Sequence, residues 1–370
     1  MKRLFISAAI LLLALPAAAA GQQEAGRQDA GQADAPESPR REFRYSLAVI
    51  DDATTYSKLT VPLPRNLNQL LLEPSLSFRY DNRWSFSSSL IGLADTYSGT
   101  STGMRVKETY AGLSAGDFDF TVGRRMVRWG TGYAFTAAGV LDPPRDATNP
   151  TDRLNLNQGR DMVKADFVHG PHAVSLAWST AALAPAHSGL HDTTAFRYNV
   201  LVHGFDASLI AGDDRGGDAF GAFTFTRVLG QAWEIHGESA WREQEALLLG
   251  AKYTTASGIT FIAEFYTPPN IAYYRDMTLS PLAGRQHYLF LDAGKSRLRE
   301  LPGWKEWDLG AYMVANLDDR SYTAAFDANR RFGNHFSAYL HLEIPGGGKT
   351  SEYGLTPYSA ATSAGVRFQL

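Results

Sequence analysis

The stretch that decides the fold is Ser363–Leu370, SAGVRFQL. Taken alternately, it sends Ala364, Val366, Phe368 and Leu370 to one face and Ser363, Gly365, Arg367 and Gln369 to the other, the period-2 pattern of a β-strand. An apolar residue in last place, with no polar tail behind it, predicts a strand held to its end. On its own this fits the final strand of an ordinary sheet. The rest of the chain has to decide.

At the other end, residues 1–20, MKRLFISAAILLLALPAAAA, have a basic start at Lys2 and Arg3, an apolar run from Leu4 to Leu15 and small residues up to Ala20. The run is too short to span a bilayer as a helix, so residues 1–20 read as a signal peptide cleaved near Ala20, against the alternative of an uncleaved anchor. There is no Cys, which excludes disulfides and a lipid anchor on cysteine. Nothing downstream approaches about eighteen consecutive apolar residues, so no helical span is expected. A net charge of -3 gives no case for a nucleic-acid partner. Aromatic residues at 12% and 34 Gly, with mildly polar hydropathy, suit a chain whose apolar positions alternate with polar ones.

Residues 21–42 are almost free of large apolar side chains and are expected to be a disordered periplasmic lead. From Phe43 the texture changes, and segments of about ten alternating residues recur. LEPSLSFRY puts Leu76, Phe78 and Tyr80 on one face, and WSFSSSL puts Trp84, Phe86 and Leu90 on one face with serines between. DFDFTVG alternates Phe118, Phe120 and Val122 with Asp119 and Thr121, and FRYNVLVHG and WEIHGESAW follow the same rule. Around Lys107–Leu113 and Tyr288–Ala293 the parity is ambiguous. Tight turns at Asp81-Asn82, Ser114–Gly116, Gly170-Pro171, His203-Gly204, Leu229-Gly230, Ala256–Gly258 and Phe332–Asn334 separate longer polar loops at Val127–Asp161, Ala181–Thr194, Thr267–Gly284 and Ile344–Ser359. Counted this way, residues 43–370 form about 18 antiparallel strands (16–18). The expected fold is an all-β transmembrane barrel of the outer membrane, with short periplasmic turns, long extracellular loops, and the last strand closing on the first so that no backbone edge is left in lipid.

The residues that carry a family resemblance are now in view. Ser363, Gly365, Phe368 and Leu370 resemble the C-terminal signal of outer-membrane barrels inserted by the barrel-assembly machinery, ending on Leu where Phe is commoner. VGRRMVRWGTGY, Val122–Tyr133, followed by LDPPRDATNPTDRL, is similar to a segment of porins of the alginate-export type. That resemblance implies a monomeric barrel carrying an anionic or sugar-like solute; the residues themselves leave the oligomeric state open.

Catalytic and metal motifs are weak. Gly112-Leu-Ser114-Ala-Gly116 matches G-x-S-x-G formally, but a strand-like segment follows where a nucleophile elbow needs a helix, so a hairpin turn is expected and no enzyme. His187 and His191 in HSGLH, and the carboxylates of DDRGGD at 213–218, read as loop residues, and neither a metal nor a cofactor is expected.

What remains is the polar face. With aromatic residues toward lipid, the lumen receives Lys164, Asp166, Arg197, Glu234, His236, Glu238, Arg242, Lys252, Glu264 and Arg367, with Asp206, Asp308, His335, His341 and Glu343. Trp84, Trp178, Trp233, Trp241 and Trp307, with Tyr80, Tyr198 and Tyr253, are expected in aromatic girdles. The longest loop is expected to fold inward as a constriction, with Arg124, Arg125, Arg128, Arg145, Asp146, Asp152, Arg153 and Arg160 setting its charge. An external position for that loop is the competing reading. The expected function is a porin-like channel for small hydrophilic, anionic or saccharide-like solutes, with outer-membrane lipid as its surroundings; the rival is a plugged barrel that binds ligands through its outer loops.

Overall fold

The computed structural model describes residues 41–96, 101–143, 145–182, 192–214, 219–242, 245–268, 287–298 and 303–370. The expected signal peptide and nearly all of the expected lead lie outside these residues, as do His187, His191 and the last four residues of DDRGGD. Six strands come first: β1 (Arg41–Ser57), β2 (Asn66–Tyr80), β3 (Trp84–Asp95), β4 (Ser101–Ala115), β5 (Phe118–Arg125) and β6 (Arg160–His169). Then follow β7 (His172–Thr180), β8 (Thr193–Val202), β9 (Phe205–Asp214), β10 (Ala219–Leu229), β11 (Trp233–Trp241) and β12 (Glu245–Thr254). The last six are β13 (Ile259–Thr267), β14 (Tyr288–Lys295), β15 (Trp307–Asn316), β16 (Ser321–Phe332), β17 (Phe336–Gly346) and β18 (Ala360–Gln369). All eighteen pair antiparallel with their sequence neighbours, and β1 also pairs with β18, so the sheet is a closed barrel. The eighteen strands expected from alternation are therefore present, beginning two residues before Phe43. Among the described residues no helix is long and apolar enough to cross a membrane.

Alternation selects the two faces. Phe78 lies opposite Phe43 and Phe86, Phe120 opposite Leu113 and Ala165, and Trp233 opposite Tyr253, and these side chains point outward. The inner face buries small hydroxyls such as Thr54, Thr121, Ser175, Ser208, Thr224 and Thr323. An outward apolar band and an inward polar wall are what hydrocarbon outside and water inside require. Trp84, Trp178, Trp233 and Trp241 are exposed on the outer face, and Trp233 and Trp241, at opposite ends of β11, are separated by about 27 Å along the strand.

The two ambiguous segments have separate causes. Between β3 and β4 the register shifts at Ser89 and Leu90 of β3, so that in β4 Lys107 is an extra residue between Val106 and Glu108. This β-bulge inverts the parity: Met104 and Val106 point outward above it, Ala111 and Leu113 below it. In β14 both faces are apolar, because Tyr288 and Phe290 are buried on the inner side.

Turn chemistry follows the sequence closely. Asp81 and Asn82 have φ of 52 and 51°, and His203 and Gly204 have 50 and 73°, the left-handed pairs that close two-residue hairpins. The short-long rule has exceptions, and β9–β10 and β11–β12, on the long-loop side, are joined by only four and three residues. Residues 296–306 make a long link on the short-turn side, and residues 317–320 make a tight turn on the opposite one.

The seam explains the closing octapeptide. The Ser363 hydroxyl is 2.6 Å from that of Thr54, which also donates to Asp52. Tyr339 lies across Gly365 and donates to Asp52 at 2.6 Å. A Cβ on Gly365 would sit 2.4 Å from the Tyr339 ring and 2.6 Å from the Asp51 carbonyl. Phe368 and Leu370 point outward, and Leu370 exchanges backbone hydrogen bonds with Leu47. Gly365→Val is expected to lower barrel stability by about 1–3 kcal/mol through overpacking, read from urea unfolding followed by the heat-modifiable gel shift. Unchanged stability would remove Gly365 as a requirement of the seam.

Candidate functional site: a long loop on the inner wall

Residues 126–159 leave β5 and return at β6. Their sequence, rich in Gly, Thr and Pro, has no strand alternation, so its backbone groups have no ladder to join. Three buried carboxylates take them instead. Glu238 on β11 accepts from the backbone N–H of Thr131, of Gly132 at 2.8 Å, of Ala137 at 2.6 Å and of Ala138 at 2.7 Å. Glu264 on β13 accepts from Tyr133, from Ala134 at 2.9 Å and from Phe135 at 3.4 Å. Asp142, within the loop, accepts from Trp129 at 2.7 Å and Gly130 at 3.3 Å. Burial pushes the Asp142 carboxyl above its ordinary range, an effect opposed by the Trp129 N–H and the nearby Arg145. Glu238 and Glu264 are 2% and 0% exposed, so an unmatched charge at either place would be very costly. Each hydrogen bond to a carboxylate contributes about 1.5–3 kcal/mol.

Apolar contacts complete the hold. Trp129, Val140 and Leu141 form one buried cluster with Ala177, Ala195 and Ala222, small inner residues of β7, β8 and β10 that leave room for them. Phe135 stacks on Tyr266 at 4.8 Å and meets Tyr288 at 5.8 Å. Leu154 packs with Ile50, Leu71 and Ile91 of β1, β2 and β3.

Taken in chain order, the loop's polar contacts step round the barrel. Thr131–Ala138 lie on β11 and β13, and the Thr148 carbonyl accepts from Tyr312 of β15 at 2.7 Å. Arg153 pairs with Asp52 of β1, lies 5.4 Å from the Tyr339 ring of β17, and its carbonyl accepts from Arg367 of β18 at 2.9 Å. Asn155 donates to Glu73 of β2 at 2.8 Å. Gly159 N–H reaches the Lys107 carbonyl of β4 at 2.9 Å, and Met126 N–H reaches the Glu108 carboxylate at 2.6 Å. Both ends of the loop are thus tied to the bulge of β4. The ammonium of Lys107, 4% exposed, is paired with Glu73 at 2.8 Å.

The residues singled out in the sequence fall into distinct places. Arg124 departs from the expected constriction: it lies opposite Asp161 on the face of Phe120 and Val122 and pairs with that aspartate at 2.6 Å, because strand parity turns it outward. Arg125 lies on the inner face, over the Tyr110 ring at 4.8 Å and donating to Thr121 at 2.7 Å, directly across from Arg160. Arg128 is exposed between buried Val127 and Trp129. Arg145 braces the loop from within, donating to the Phe135 and Gly130 carbonyls and to Asp142. Asp146 caps Thr148, and Asp152 accepts from Leu156 and Asn157.

On the wall, Glu234 and Lys252 meet at the Tyr133 hydroxyl, at 2.9 and 3.0 Å. His236 lies 2.9 Å from Glu264 and edge-on to Tyr133. Lys164 pairs with Asp166, Arg197 donates to Ser208 at 2.9 Å, and Arg242 pairs with Asp214 at 3.3 Å and covers Phe220. His335 sits in the turn before β17 instead of within a strand. Ser114 lies one residue before the end of β4 and donates to Asp119 across a hairpin whose Gly116 has φ 62°, with strand β5 following, so there is no strand-to-helix elbow. Sequence reading missed Asp52, Glu73, Glu108, Asp142 and Tyr312. Places on alternating segments were the only signal for Asp52, Glu73 and Tyr312, the bulge hid Glu108, and Asp142 lies in the loop, where there is no alternation to read.

Glu238→Ala strands several loop donors at once. Trypsin is expected to cut at Arg128, Arg145 or Arg153 at least tenfold faster than in the parent while the barrel itself stays resistant, consistent with losing about 1.5–3 kcal/mol per hydrogen bond. Cleavage at the parent rate would remove Glu238 as the anchor.

No family model matches the chain, and no curated protein is similar to it in sequence. Solved structures do resemble it. Pseudomonas aeruginosa OccK5 (OpdH) superposes with a TM-score of 0.59 at 9% identity, over 89% of this chain and 98% of that one. P. aeruginosa OccK11 (OpdR) gives 0.59 at 9% identity, over 89% and 96%. A variant of Rhodopseudomonas blastica porin gives 0.50 at 11% identity, over 89% and 100%. At such identities the likeness establishes the architecture, and the fold of this chain is that of a porin-type transmembrane barrel.

Proposed function

We propose that the protein is a channel of a Gram-negative outer membrane, passing small hydrophilic solutes through a lumen narrowed by residues 126–159. The observation that carries this reading is the loop's path: it is held against the wall strand after strand, which suits a collar around an aperture. A plug is the second reading, favoured by the buried apolar clusters that the loop makes on opposite sides of the barrel. Transport needs no covalent step, since a wet lumen removes the hydrocarbon barrier and wall charge with loop width selects the solute.

Anionic solutes are favoured by Arg125 and Arg160. Like charges directly across a strand pair destabilise it, so a site that keeps two arginines face to face invites an anion between them. The saccharide-like solute rests on the alginate-export resemblance of Val122–Tyr133. Under this reading the short turns are periplasmic, residues 1–20 direct export, and Ser363, Gly365, Phe368 and Leu370 are the signal for the barrel-assembly machinery. Phe368 and Leu370 support the last assignment by facing outward beside the seam.

Single-channel recording of the refolded mature chain in a planar bilayer under a salt gradient tests the proposal, with steady, anion-preferring openings as the expected result. Silence from a barrel that is folded by gel shift favours the plug. Replacing Arg128–Gln158 by a short Gly-Ser linker is expected to raise conductance several-fold, and no rise overturns the collar. Arg125→Glu with Arg160→Glu is expected to turn the ion preference toward cations.

A further inference from the structure

The outer wall is not uniformly covered by large side chains. On β12–β16 one outward cross-strand row reads Ala251, Ala263, Leu291, Met313, Ala324, and the row beneath it Tyr253, Phe261, Ala293, Ala311, Phe326. Where the alanines gather the surface sinks, leaving a groove of about 590 Å³ walled by Trp233, Tyr253 and Phe261 on one side and Leu291 and Met313 on the other. The groove is open to whatever surrounds the barrel.

Its short-turn end is marked by charge. The next outward row carries Lys295 between Ile259 and Leu309, and the row after that pairs Trp307 with Arg330. Arg330 is exposed, and its guanidinium is held 5.6 Å from the centre of the Trp307 ring and 4.8 Å from that of Phe332. Its contacts among the described residues are these two rings, and no carboxylate pairs with it. Trp307 opens β15 and Phe332 closes β16, so this cation sits at the level of an aromatic girdle, where headgroups lie. Two rings fix its direction, and among the described residues no carboxylate neutralises it. Exposed and held in this direction, it is placed to meet an anion at the barrel surface.

We propose that the groove and Arg330 form a binding site for one anionic glycerophospholipid of the periplasmic leaflet, an acyl chain lying over the alanines and the phosphate at Arg330, with Lys295 next along the wall. The shape accounts for the chain and the charge for the headgroup. An apolar groove alone would accept any lipid, whereas an oriented cation at its end selects a negative one. The inference rests on the reading of the barrel as a membrane protein and is independent of whether the lumen conducts.

Native mass spectrometry of the detergent-purified full barrel, offered equimolar phosphatidylglycerol and phosphatidylcholine, tests it. The parent is expected to keep one phosphatidylglycerol in preference to phosphatidylcholine. Arg330→Gln is expected to reduce retained phosphatidylglycerol at least threefold, and Arg330→Lys to restore it. Ala311→Trp, which fills the groove, is expected to reduce retention of both lipids, with the gel shift confirming a folded barrel; should that variant not fold, the Arg330 pair decides. Equal retention of the two lipids by the parent, or undiminished phosphatidylglycerol in Arg330→Gln, overturns the site. Flotation of the refolded barrel with vesicles separates this failure from failure of the membrane reading, since a barrel that floats but holds no lipid removes the site alone.

Discussion

Everything in this molecule answers to one constraint, the need of backbone N–H and C=O groups for partners where water is scarce. In the wall the constraint is met by the ladder of eighteen strands, and at the seam by β1 taking β18 as its neighbour. The inserted loop has no ladder. Its donors are met by carboxylates that the wall presents, and because a carboxylate has two oxygens with several lone pairs, Glu238 alone serves four backbone N–H groups. A loop of Gly, Thr and Pro can therefore be ordered without becoming a strand.

The wall is shaped to receive that loop. Where Trp129, Val140 and Leu141 press outward, the inner residues are alanines; where Phe135 arrives, they are tyrosines. The bulge at Lys107 supplies the fixed points for both ends. An extra residue in a strand leaves a carbonyl free of the ladder, and here that carbonyl takes Gly159 while the adjacent Glu108 takes Met126. The same bulge turns the Lys107 ammonium onto Glu73, which also holds Asn155. A local irregularity of β4 thus fixes where the loop leaves and returns.

Charge on the inner wall is largely matched in pairs that also carry loop contacts. Asp52 holds both Arg153 and Tyr339, so the seam and the far end of the loop share one carboxylate. Against this background two places stand out, Arg125 across from Arg160 inside and Arg330 between its two rings outside, where no carboxylate among the described residues is paired with the cation. Both places are defined by register: the chain neighbours Arg124 and Arg331 point to the opposite faces and pair with Asp161 and Asp308.

The sequence determined the class of fold, the strand number and the two faces, because a period of two repeated over eighteen segments needs no knowledge of long-range contacts. Parity, being local, sends Glu238 and Glu264 to the polar face of their segments. The sequence did not reveal their work, because the donors they serve lie at 131–138, more than ninety residues away. It also placed Arg124 with Arg125, although neighbours on a strand must point to opposite faces and Arg124 meets Asp161 outside. The parity of β14 was unreadable because its inner aromatics face Phe135, a partner from the loop. Local periodicity fixed the wall, and only the tertiary structure decided what the wall holds, because the loop's partners are chosen by register and closure and neither is written in any one segment.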